Sequence, residues 1–178
     1  MKAPSSLFGF LGRVTILHFL TYFFVGFLFY VTGLNAVVYF ENNPDPIVTS
    51  FLRPTSSPWI LAGPLFGLIR GAIFGLALFP FRRVFLERKW GWVYLWGLFL
   101  ALAIFAPSGP APGSVEGFVY TELPVLFHLV ALPEIILQTL VFSWLVVTWE
   151  HRKDKRLTIA LVAVFVVTLI LSILALFS

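Results

Sequence analysis

The sequence predicts an all-α fold: a polytopic transmembrane helix bundle of about five spans, with the N-terminus cytoplasmic and the C-terminus outside. Three observations predict it. Of 178 residues, 60% are hydrophobic and 11% are charged, whereas an ordinary soluble domain is about 25% charged. Apolar runs of roughly 20 residues recur, the helical length that crosses a hydrocarbon core of about 30 Å. Lysine and arginine are distributed unequally between alternate loops, which sets the orientation of a membrane protein.

The first apolar stretch, residues 7–40, exceeds what one upright helix needs, so an interfacial turn is expected before a span over 14–40. It is also far longer than the apolar core of a signal peptide and has no small-x-small site before a polar start, so it is expected to be retained. The further spans are expected at 59–81, 90–106, 123–149 and 157–177, with outer loops at 41–58 and 107–122, the whole forming a single transmembrane domain. The third span is short and the fourth long, so tilting or kinking is expected. Ser57 before Pro58, and Thr121 and Glu122 before Pro124, read as helix starts at the outer boundary. In the first outer loop Ile47 to Leu52 reads as a short interfacial helix. In the second, Val115, Phe118 and Val119 are expected to fold a Pro- and Gly-rich segment back onto the bundle.

One side of the spans carries Lys2, Arg13, Arg82, Arg83, Arg88, Lys89, Arg152, Lys153, Lys155 and Arg156. The other carries Arg53, with Glu41, Asp45, Glu116 and Glu122. Translocating positive charge is disfavoured, so the ten-residue side is cytoplasmic, and the cell (inner) membrane is the expected location. Trp90, Trp92 and Trp149 fall at the inner boundary and Trp59 at the outer one, where amphipathic rings settle. The formal charge of +4 therefore reports topology, and no nucleic-acid partner is expected. Membrane lipids and other membrane protein chains are the expected partners, with anionic lipid head groups an alternative reading of the basic clusters.

The chain has no cysteine, which excludes intrachain disulfides, thiolate metal sites and a cysteine nucleophile. It has no phosphate-binding glycine loop, no HExxH and no GxSxG. No cofactor and no metal site are expected.

Four features remain as candidates for function. Gly63, Gly67, Gly71 and Gly75 recur every fourth residue and so share one face of the second span, a stripe that lets a helix backbone approach closely. Arg70 lies beside it, about eleven residues or roughly 16 Å of helix from Trp59 and thus near mid-membrane, where a guanidinium needs a partner. Glu134 lies about twelve residues or roughly 18 Å from Glu122, an apparently equal depth. This predicts neighbouring second and fourth spans joined by Arg70 and Glu134, either as a structural tie or as part of an ion or substrate path. Pro133 is expected to kink the fourth span, and Gln138 shares a face with Glu134. His128 completes this intramembrane polar set. His18 is expected at a different depth from His128, too far for joint haem ligation, and His151 in a solvated loop. Glu116 and Glu122 are outer-loop candidates for an entrance or an acid.

The reading that follows is a non-enzymatic small subunit or accessory factor of a larger membrane assembly. Two alternatives stay open: a small transporter or channel using the Arg70/Glu134 site, and an intramembrane lipid-modifying enzyme with a pocket around Glu116, Glu122 and His128.

Overall fold

A computed structural model describes residues 6–34, 45–54, 57–105, 107 and 109–177. The described residues form helices α1 (Leu7–Val31), α2 (Pro46–Phe51), α3 (Pro58–Leu61), α4 (Gly63–Leu78), α5 (Arg82–Leu86), α6 (Gly91–Phe105), α7 (Val115–Tyr120), α8 (Val125–Arg152) and α9 (Lys155–Leu174). Four stretches are long and apolar enough to cross a membrane: α1, α3 with α4, α8 and α9. They mark the chain as a membrane protein. The third expected span is α6, whose 15 residues rise about 22 Å.

The helix boundaries follow local chemistry. The Ser6 hydroxyl accepts the Gly9 N–H at 3.2 Å and starts α1 seven residues before the expected position, with no separate interfacial turn. Gly33, at φ +73°, takes the left-handed conformation just past its end. The expected continuation over 35–40, together with Lys2 and Glu41 of the charge bias, lies outside the described residues. Asp45 caps α2 through Ile47 N–H at 2.8 Å, as the short helix expected there requires. Ser57 does occupy the N-cap of α3, but its side chain makes no capping bond. Thr121 likewise caps nothing in α8; its hydroxyl donates to the Gly117 carbonyl at 2.6 Å, and Pro124 holds the N-cap. Pro133 sits within α8, which continues through it to Arg152.

The first helix is the centre of the bundle. α4, α8 and α9 pack around α1, and α6 packs on α8. The order of contacts along α1 gives the register. A Cβ on Gly63 would meet Tyr22, on Gly67 Phe19, on Gly71 Thr15 and on Gly75 Leu11, so α4 runs antiparallel to α1 and presents its glycine face to it. At Gly71 the clash would be with the Thr15 backbone, 2.8 Å away. The four glycines thus admit a neighbour within the same chain, gaining dispersion contacts where lipid offers no hydrophobic drive between helices. α8 also runs antiparallel to α1: Arg13 meets Glu150, His18 meets Phe142 and Gly26 meets Glu134. α1 is therefore the main neighbour of α4 and, with α6, one of the two main neighbours of α8; the meeting of α4 and α8 includes the rings of Phe74 and Phe142.

Two apolar clusters close the ends. At the basic end Phe10, Val14, Leu78, Phe85, Leu95 and Trp149 are among the buried residues that draw α1, α4, α5, α6 and α8 together. At the opposite end Val48 of α2 packs with Leu123 and Phe127, so the first outer loop leans on the start of α8. The second outer loop also folds back, although not mainly through the residues expected. Val115 and Val119 point outward, Val119 being 61% exposed, and Phe118, although exposed, lays its ring against His128 at 5.9 Å, while Gly113, Ser114 and Gly117 turn inward. Their small size is the reason: a Cβ on Gly117 would strike the Ala111 carbonyl and the His128 ring.

Candidate functional site

The polar groups of the bundle interior lie along α1. At the basic end Arg13 Nε is 2.7 Å from Glu150 Oε1; the two side chains are 22% and 3% exposed. The Arg13 guanidinium also stands 5.9 Å from the centre of the Trp149 ring, and the Trp149 indole N–H donates to Thr158 Oγ1 at 2.9 Å. One polar network so fastens α1, α8 and the first turn of α9. Sequence reasoning missed it because Arg13 was counted among the topology charges and Glu150 was not weighed. The available signal was an acid next to a boundary tryptophan.

Midway along α1, His18 is buried between Phe74 of α4 and Phe142 of α8, at ring-centre distances of 5.0 and 5.5 Å. Phe99 of α6 joins the same layer, 5.0 Å from Phe74 and 5.3 Å from Phe142. Four helices therefore meet at one aromatic layer with His18 inside it. Its Nε2 has no hydrogen-bond partner among the described residues, an uncommon state for a buried nitrogen.

Arg70 and Glu134 are not brought together. Gly71 faces Thr15 on α1, whereas Glu134 lies opposite Gly26. Eleven residues of α1, about 16 Å, separate those backbone levels; the Arg70 side chain reaches back to Tyr22, one turn of α1 from Gly26, and no ion pair joins it to Glu134 among the described residues. Counting depth from each helix's own outer end presupposed a common starting level, which α8 and α4 do not share. The Arg70 guanidinium instead lies over the ring of Tyr22, 5.4 Å from its centre, a cation–π contact. The residue is exposed on the outward face of α4, and among the described residues no ion pair reaches it. Glu134 and Gln138 are half-buried on α8.

His128 is a clasp for the loop between α6 and α8. Gly113 N–H donates to its Nδ1 at 3.2 Å, which places the ring proton on Nε2. The ring is held edge-on to Phe118 and Phe127. His18 lies level with Phe142, fourteen residues along α8 from His128, so about 21 Å separates the two histidines along the helix. Glu116 is half-buried in α7 and Glu122 is exposed before α8. His151 is exposed, and its Nε2 donates to the Leu86 carbonyl at 2.6 Å, tying the end of α8 to α5. No three histidine or carboxylate side chains gather at metal-ligating distance among the described residues.

Comparison with family models, with curated proteins and with solved structures finds no match. The reading of function rests on the geometry alone.

Replacing His128 with phenylalanine fills the same space but removes the acceptor for Gly113. A buried donor left unpaired costs about 1–3 kcal/mol. Amide exchange at Gly113 should quicken about ten-fold or more, with α8 below the first turn unchanged; equal protection in both proteins would disprove the clasp.

Proposed function

We propose that this chain is a non-enzymatic subunit or accessory factor of a larger membrane assembly. We place it in the cell (inner) membrane with five crossings, a cytoplasmic N-terminus and an external C-terminus. The observation that carries the assembly reading is the outward face of α4, where exposed Arg70 stands mid-helix among the exposed side chains of Phe66, Ile69 and Ile73. A guanidinium turned toward hydrocarbon costs about 2.5–3.5 kcal/mol on insertion scales. A carboxylate at the same depth on a neighbouring chain offsets that cost, and the apolar residues around Arg70 supply close contact. The glycine face of α4 is already occupied by α1, so the Arg70 face is the one open to a partner.

The fifth crossing is α6. It begins beside α5 at the basic end and ends near α7, and local thinning of the bilayer accommodates its length. The orientation rests on the ten-to-one bias of basic residues. A transport reading would now require Arg70 and Glu134 to act at separate levels. A lipid-modifying reading would require His128 to act while its Nδ1 is engaged by Gly113.

The test is purification of the tagged chain in mild detergent. The native protein is expected to carry at least one further membrane chain, and Arg70→Gln is expected to lose it while keeping its helical circular dichroism. A folded wild-type monomer with no associated chain, or an Arg70→Gln protein that keeps its partner, overturns the proposal.

A further inference from the structure

We infer that the turn from Phe79 to Trp90 and the cleft beneath it bind one anionic phospholipid. The inference concerns the basic end of the bundle and is independent of the assembly reading, which rests on α4. The cleft, of about 220 Å³, is lined by Leu78, Phe81, Val84, Tyr94, Leu95 and Leu98, from the end of α4, α5 and the first half of α6. Its lining carries no formal charge, which suits an acyl chain. Tyr94, Leu98 and Leu102 continue as an exposed stripe along α6, so a chain entering the cleft has an apolar path running away from the basic end.

Cations stand at its mouth. The Arg88 guanidinium lies over the ring of Tyr94, a lining residue, 5.5 Å from its centre. Arg83, 77% exposed, projects from α5 with only a 3.7 Å approach to Glu87. Arg82 is fixed in place: its Nη1 donates to the Phe79 carbonyl at 2.8 Å and its guanidinium lies 3.8 Å from the Phe79 ring centre. Its Nε is buried without a hydrogen-bond partner among the described residues, a donor that a phosphate oxygen next to the turn would satisfy. Lys89 stands over Trp90 at 6.0 Å. Four cations from Arg82 to Lys89 face one carboxylate, Glu87.

Topology alone would explain positive charge at this end. It does not explain why Arg88 packs on a residue that lines an apolar cleft, nor the close approach within the turn, in which a Cβ on Gly91 would collide with the Phe85 carbonyl. Clustered cations beside an apolar slot match a lipid with an anionic head group, which the surface potential of a cytoplasmic leaflet also concentrates.

The experiment is native mass spectrometry of the full chain in mild detergent, titrated with dipalmitoyl phosphatidylglycerol or dipalmitoyl phosphatidylcholine. One phosphatidylglycerol is expected to be retained at least ten-fold more tightly than phosphatidylcholine. Arg88→Gln with Arg83→Gln should weaken that retention about ten-fold, as should Leu98→Trp, which fills the slot without touching a charge. Arg152→Gln with Lys153→Gln should leave it within about three-fold. Equal retention of the two lipids overturns the inference. So does full retention in the Arg83/Arg88 variant, or a loss matched by the Arg152/Lys153 variant, which would show general attraction to a basic face. Circular dichroism of each variant ensures that lost binding is not lost folding.

Discussion

Replacing Gly71 with leucine should prevent assembly of the bundle, and even Gly71→Ala should cost about 1–3 kcal/mol, the usual penalty for forcing extra volume into a packed interface. A Cβ here would lie 2.8 Å from the Thr15 Cα and 3.1 Å from the His18 Cβ. The first obstacle is backbone, which cannot rotate aside as a side chain can. Relief therefore requires α4 to move off α1, and the contacts of Phe74 with His18, Phe99 and Phe142 go with it. Gly12 and Gly97 are the internal controls, since a Cβ on either meets nothing within 4 Å. Alanine at those helical positions should be neutral or stabilise by a few tenths of a kcal/mol or more, because it restricts the unfolded chain. Unfolding in mixed micelles titrated with a denaturing detergent measures all three. Equal midpoints for Gly71→Ala and Gly12→Ala would show that α4 and α1 do not approach as described.

The second large effect concerns the Arg13–Glu150 pair. Arg13→Met keeps most of the stem volume but takes away the charge 2.7 Å from a carboxylate that is only 3% exposed. Removing one partner of a buried pair costs about 3–5 kcal/mol, because the remaining charge is left desolvated. Glu150→Gln should cost less, since Arg13, at 22% exposed, can turn its guanidinium toward the membrane surface. The double substitution Arg13→Met with Glu150→Leu should recover most of the loss, because a well-packed apolar pair of similar volume often equals a buried ion pair in stability. The same detergent titration resolves the order. Additive single losses in the double variant would mean that the two residues act independently.

Much of the bundle could be read from composition. Long apolar runs specify helices because backbone groups in hydrocarbon must bond within their own segment, and glycine every fourth residue marks a close approach wherever it occurs on a helix. Relative height was harder to read. The placement of Arg70 opposite Glu134 depended on where each helix begins with respect to the other, and that level is set by α1, which lies between them and whose register with each is a matter of tertiary packing. The outer loop failed in the opposite way. Apolar Val115 and Val119 suggested an inward face, but the tight turn at Gly113 and the small volume of Gly117 bring that side, with the Phe118 ring, against His128. Arg13 and Glu150 escaped notice because charges at span ends are ordinarily topology signals, and only packing makes them a pair.

The central position of α1 has a consequence for how the protein is made. α1 precedes in the chain the helices α4, α8 and α9 that pack on it, and it carries Arg13, His18 and Tyr22 into the membrane before those neighbours are made. Glu150 is synthesised 137 residues after Arg13, a delay of roughly 7–27 seconds at ordinary elongation rates of about 5–20 residues per second. Through that interval the arginine must stay at the head-group boundary or be sheltered by an insertion factor, so α1 is an unfinished helix that waits for α8.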